Sequence, residues 1–122
     1  MYNYFINGLI LGDAYINPYG ALTVDHSSKQ QKYVEWKFEQ LKALGVLTEN
    51  AQIQNVERTH KRTKRKSYSL RFNTKSVFKQ ERALFYPKGQ KVIPSNFYDL
   101  CNPLTLAIWY MDDGGLGAWV WF

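Results

Sequence analysis

Residues 6–14 read INGLILGDA and residues 106–115 read LAIWYMDDGG. Each stretch is an apolar, helix-like run that ends on a carboxylate, Asp13 in the first and Asp113 in the second. A helix C-terminus carries partial negative charge, so an acid there is repelled unless a cation lies nearby. One such acid is ordinary, as a turn residue or a helix-terminal acid ahead of glycine. Two in matching contexts suggest a shared metal. The glycines inside the first run, Gly8 and Gly12, each cost about 1 kcal/mol in a helix relative to alanine, and close packing of a second helix would offset that cost.

Between the two runs, length and composition set limits. A chain of 122 residues with 45% apolar content supports one domain with a single modest core. The net charge of +6 and the pI near 9.4 favour a polyanionic partner. One cysteine excludes an internal disulfide and a cysteine-built zinc site, and points to a reducing compartment. The apolar run over residues 5–11 is interrupted by Asn7 and too short to cross a membrane, and it lacks the flanks of a signal peptide. The expectation is a soluble, intracellular protein without membrane contact.

Residues 3–12 read as the first helix, and Asn17, Pro18, Tyr19 and Gly20 as a turn joining two strands. Leu22 and Val24 alternate with Thr23 and Asp25, one set for the core and one for solvent or ligand. Ser27 or Ser28 can cap a helix over residues 30–44, where Val34, Phe38, Leu41 and Leu44 recur at helical spacing before Gly45. A second hairpin ends in a strand over residues 64–73. There Tyr68, Leu70 and Phe72 share one side, and Ser67, Ser69, Arg71 and Asn73 the other. Arg58, His60, Lys61, Arg62, Lys64, Arg65 and Lys66 gather at the strand end and turn before it. Residues 77–86 predict a short helix stopped by Pro87, followed by a loop with Lys91 and Pro94. Asn102 or Thr105 can cap the last helix.

The basic turn suits phosphates, which supply affinity and register, while the polar strand face suits base edges in a major groove. A solvated basic loop is the plainer alternative. His26 and His60 are too isolated in the sequence to suggest a zinc site or an acid–base pair.

The two opening stretches, in order and about one small αββαββ unit apart, resemble the signature of LAGLIDADG homing endonucleases. The first aligns from Ile6 through Gly8, Gly12 and Asp13 to Ala14, the second from Leu106 through Ala107, Asp112 and Asp113 to Gly114. The resemblance is to the intron-encoded branch with two motifs per chain. It implies an α+β fold: an αββαββα unit with a saddle-shaped antiparallel sheet over residues 1–104, then a second motif helix and an apolar stub over residues 105–122. It implies that Gly8, Gly12 and Ala107 pack the two helices together. Asp13 and Asp113 would bind Mg²⁺ or another divalent cation, with Asp112 a mere neighbour, and Lys91 would act electrostatically beside them. Tyr15, Asn17, Thr23, Asp25, Arg58, Lys61, Arg62, Lys64, Arg65, Lys66, Ser67, Ser69, Arg71 and Asn73 would contact DNA.

The implied activity is site-specific, Mg²⁺-dependent cleavage of double-stranded DNA at an intron or intein homing site. A two-motif member would continue after Gly115 with a second half. This chain has only residues 116–122 there, so the expected partner is a second copy or a complementary half. A DNA-binding module without catalysis and an intron RNA-splicing maturase are the alternatives. A mitochondrial, chloroplast, phage or bacterial cytoplasmic setting fits all three.

Overall fold

Asn3 starts the first helix, α1 (Tyr4–Leu11), by accepting the Ile6 N–H on its side chain at 2.9 Å. In the computed structural model, which describes residues 3–113, residues 5–11 of α1 are all buried. A helix apolar on every side belongs in the core. The side chain of Asp113 and residues 114–122, including the apolar ending at 118–122, lie outside the described residues.

After α1 come β1 (Tyr15–Ile16) and β2 (Ala21–Ser27). Asn17 closes their turn, its Oδ1 accepting from the N–H groups of Tyr19 and Ala21, while Gly20 takes a positive φ of 91°. Ser27 caps a 3₁₀ turn that leads into α2 (Gln31–Ala43). The second hairpin is β3 (Gln54–Thr59) and β4 (Lys66–Ser76), followed by α3 (Lys79–Phe85), α4 (Phe97–Leu100) and α5 (Pro103–Asp113). Asn102 is the cap of α5, accepting from the Thr105 N–H at 3.0 Å.

The four strands form one antiparallel sheet in the order β1-β2-β4-β3. Leu22, Val24, His26, Leu70, Phe72 and Thr74 are buried on the helix side, where Phe38 of α2 meets Phe72 edge-on at 5.2 Å. The α+β class and the antiparallel sheet agree with the sequence reading. Four local details differ. The strand expected over 64–73 runs two residues later at its start and continues to Ser76, and α3 begins at Lys79 rather than 77. The loop after Pro94 contains the short α4, whose Leu100 is fully buried. Tyr68, expected with Leu70 and Phe72, is half exposed because the β3–β4 hairpin runs past the core.

Helices α1 and α5 touch through glycine. A Cβ on Gly8 would lie 2.8 Å from the Ile108 Cβ and 3.0 Å from the Thr105 oxygen, and one on Gly12 would lie 2.6 Å from the Asp112 Cβ. The contact ridge of α5 is therefore Thr105, Ile108 and Asp112, spaced three and four residues apart. Ala107 falls off that ridge and is exposed, which corrects its expected place between the two helices. The Thr105 hydroxyl donates to the Tyr4 oxygen at 2.9 Å, and the buried Asn7 amide donates to the Leu100 oxygen at 3.0 Å.

Candidate active site and nucleic-acid interface

Asp13 follows the end of α1, and its side chain is 43% exposed. Lys91 brings a cation to this end of α1. Its ammonium donates to the main-chain oxygens of Gly12 and Ala14 at 2.9 and 3.0 Å, on either side of Asp13. Those are carbonyls at the end of a helix, where a cation satisfies both the acceptor and the dipole. The loop after α3 thus brings Lys91 from far along the sequence to the main chain on either side of Asp13. Among the described residues, no group of three or more His, Cys, Asp or Glu forms a metal cage. The exposed Asp13 carboxylate is a hard oxygen donor of the kind that a divalent cation such as Mg²⁺ takes one or two of, with water filling its other positions.

Asp112 is engaged differently. Its side chain is fully buried, its Oδ1 accepting from the Lys37 ammonium at 2.7 Å and from the Tyr33 hydroxyl at 2.6 Å. Its other oxygen, Oδ2, accepts the Asp13 N–H at 3.2 Å. Lys37 is itself fully buried on α2, 2.7 Å from the His26 Nε2 and 4.3 Å from the Tyr33 ring centroid. The Nδ1 of the same histidine lies 3.7 Å from the Asp13 Oδ2. Burial, then the charge of Lys37, holds His26 below the ordinary histidine range against the pull of Asp112 and Asp25. Burial and the bond to Asp112 push the Tyr33 phenol far up.

Sequence reasoning gives no chemistry to Lys37, Tyr33 or His26. A signal for Lys37 is present all the same: it stands three residues after Val34 and four before Leu41, on the buried stripe of α2, where a lysine requires an acid partner. His26 likewise continues the inward alternation of Leu22 and Val24. What the sequence withholds is that both meet Asp112, more than 70 residues away.

The strand register gathers the polar positions on the side of the sheet away from the helices. Tyr15 pairs with Thr23, Thr23 with Asn73, Asp25 with Arg71, and Arg58 with Ser67. With Ser69 they form one face. Asp25 Oδ2 accepts from Arg58 at 2.8 Å and from Arg71 through both Nε and a terminal nitrogen, at 3.1 and 2.8 Å. Burial favours its neutral form, yet the two guanidinium groups outweigh that and keep the carboxyl below the ordinary aspartate range. An open depression of about 520 Å³ is lined by Asp25, Arg58, Ser67 and Ser69 of this face together with Asp13 and His26. The Ser69 hydroxyl is buried there without a hydrogen-bond partner.

Lys61, Arg62, Lys64 and Arg65 occupy the exposed tip of the β3–β4 hairpin, closed by hydrogen bonds between His60 and both Lys64 and Arg65. Lys64 adopts a positive φ of 55° there. Other expected DNA-contacting side chains are also bonded within the chain: the Thr23 hydroxyl donates to Asn73 Oδ1 at 2.6 Å. Lys66 alternates onto the other side of the sheet and pairs with Glu57 at 3.2 Å, and the Asn17 side chain serves its own turn. No described helix is long and apolar enough to cross a membrane.

Comparison with known proteins places these features in a family. The chain is 32% identical over 114 residues to the uncharacterized protein MJ1098 of Methanocaldococcus jannaschii, covering 92% of this chain and 42% of that protein. It is 43% identical over 42 residues to the cytochrome b mRNA maturase bI2 of Debaryomyces hansenii, covering 34% of this chain and 16% of that one. Its fold is similar to that of the homing endonuclease I-WcaI solved bound to its DNA recognition sequence. The TM-score is 0.74 at 22% identity, over 89% of this chain and 49% of that one. The chain therefore spans less than half the length of these relatives. Its sequence matches the LAGLIDADG DNA endonuclease family over residues 3–119, and the chain belongs to that family.

Proposed function

We propose that this chain is a site-specific endonuclease of double-stranded DNA, or half of one, that cuts an intron or intein homing site by Mg²⁺-dependent phosphodiester hydrolysis. The observation that carries the reading is the position of Asp13, at the rim of a polar sheet face and flanked by Lys91. On this reading, the sheet residues Tyr15, Thr23, Asp25, Arg58, Ser67, Ser69, Arg71 and Asn73 meet base edges, and the hairpin tip meets phosphates. Asp13 and Asp113 hold the cation, which when bound activates water and stabilises the leaving oxygen. Lys91 offsets negative charge at the phosphate. Gly8 and Gly12 bring the two motif helices close enough for their acids to share a site.

A second saddle completes the site, from a second copy or a complementary half. Supporting this, Leu104, Leu106 and Met111 of α5 are 44%, 50% and 51% exposed, and the relatives are about twice as long or longer. In this arrangement residues 1–104 are one αββαββα unit, and residues 105–122 open the next.

The test begins with duplexes selected from a random-sequence pool by binding in Ca²⁺, then incubated with Mg²⁺. The wild-type chain, alone or with its complementary half, is expected to yield a staggered double-strand cut. Asp13→Asn is expected to bind the same duplex and cut at least about a hundredfold more slowly, a barrier increase of about 2.7 kcal/mol. Normal cutting by Asp13→Asn would remove Asp13 from the site. Binding with no nick in any divalent ion would make the chain a recognition module only. The similarity to a maturase favours RNA splicing as the second reading. Tighter binding to structured intron RNA than to any selected duplex would establish it in place of the first.

A further inference from the structure

Lys37 has three hydrogen-bond donors and no acceptor once charged. With the Asp112 carboxylate 2.7 Å away, it is held in that charged form. Its contact with His26 Nε2, also at 2.7 Å, therefore has only one polarity: Lys37 donates and Nε2 accepts. A neutral imidazole that accepts at Nε2 carries its proton on Nδ1. That nitrogen faces the Asp13 Oδ2 at 3.7 Å. The same Asp112 that anchors Lys37 also receives the Asp13 N–H through Oδ2. The main chain and the side chain of Asp13 are thus both addressed by one buried cluster.

We propose that Lys37 and His26 are positioning residues for Asp13: Lys37, anchored on Asp112, fixes the His26 ring as the Nδ1–H form, and that N–H aims the Asp13 carboxylate toward the open sheet face. The inference rests on the reading of Asp13 as a reacting-site carboxylate, but its first consequence does not. At 3.7 Å the His26–Asp13 contact is longer than a hydrogen bond. Such contacts commonly shorten when substrate closes on the site. A histidine whose second nitrogen is fixed by a buried partner resembles the outer layer of a metal centre, where the layer beyond the ligands sets their orientation. In this scheme Lys37 acts through the imidazole and Asp112.

The deciding measurement is long-range ¹H–¹⁵N correlation of the histidine rings in the ¹⁵N-labelled full chain at neutral pH. The expected spectrum for His26 has Nδ1 protonated and Nε2 bare, and Lys37→Met is expected to abolish that pattern. A wild-type His26 protonated at Nε2 overturns the proposal, and this measurement stands even if Lys37→Met does not fold. In the cleavage assay, His26→Ala is expected to cut about 10- to 100-fold more slowly at saturating protein, with duplex affinity unchanged. His26→Asn, whose side-chain N–H occupies the Nδ1 position, is expected to recover most of that loss. Equal rates for the alanine variant and wild type, or no recovery with asparagine, also overturn it. If the wild type cuts no duplex either alone or with its complementary half, the endonuclease reading fails, and the ring spectrum alone decides this one.

Discussion

Two aspartates that look alike in sequence carry different burdens because of what surrounds each side chain. Asp112 is sealed against Lys37 and Tyr33, whereas Asp13 reaches solvent beside Lys91. The family resemblance singles out Asp13 and Lys91, and Lys91 bonds the main chain on either side of Asp13, but it leaves Asp112 incidental. Its partner Lys37 lies on another helix, and no local spacing connects them. Asp25 offers a test at this scale. Its carboxyl titrates lower in the folded chain than in the unfolded one, so the contribution of its Arg58 and Arg71 pairs is present above the ordinary aspartate value of 3.8 and disappears as pH falls through the folded one. Asp25→Asn is therefore expected to lower unfolding free energy at neutral pH, and the gap from wild type is expected to close below about pH 3.8 in denaturant titrations. A gap that widens in acid would contradict the ion-pair assignment.

Among the elements, α1 and α5 are held at a distance only glycine permits. Overpacking a tight contact costs about 1–3 kcal/mol. Gly12→Val, which sets branched methyls against the Asp112 side chain, is expected to lose that much unfolding free energy, read as a lower denaturant midpoint at an unchanged slope. Ala107→Gln, on the exposed side of α5, is expected to stay within about 0.5 kcal/mol of wild type. The helices were legible because Val34, Phe38 and Leu41 repeat at helical spacing and because α1 is an apolar run broken only by Asn7 and Gly8. The glycines also announced a close approach. Which face of α5 would answer was not legible, since Thr105, Ile108 and Asp112 stand out from their neighbours only after α1 is in place. The short α4 left no periodic trace, four residues being too few to register one.

For the whole molecule, the sheet divides labour by side and by end. One side is buried under helices; the other presents Asp25, Arg58, Arg71 and the serines, and the hairpin tip carries the excess positive charge past them. This division followed from alternation along β2 and β4, whereas the pairing of Asp25 with two arginines from different strands depended on register. Replacing Lys61, Arg62, Lys64 and Arg65 together by glutamine is expected to weaken all duplexes alike and flatten the dependence of log affinity on log salt. The slope should fall by about 0.9 for each phosphate that is no longer neutralised, read by fluorescence anisotropy across a salt series. Selective weakening on some sequences over others would instead place those side chains on bases.

The Lys37–Asp112 pair also sets a condition on recombination between relatives. A second motif helix transplanted into this scaffold must bring an acid at position 112, or it removes the carboxylate paired with the fully buried Lys37, at a cost of about 3–5 kcal/mol. Position 12 must in turn stay small to admit that acid. Residues 12, 37 and 112 therefore travel as one cassette, and a chimera that divides them inherits a fault far from any surface it was built to change.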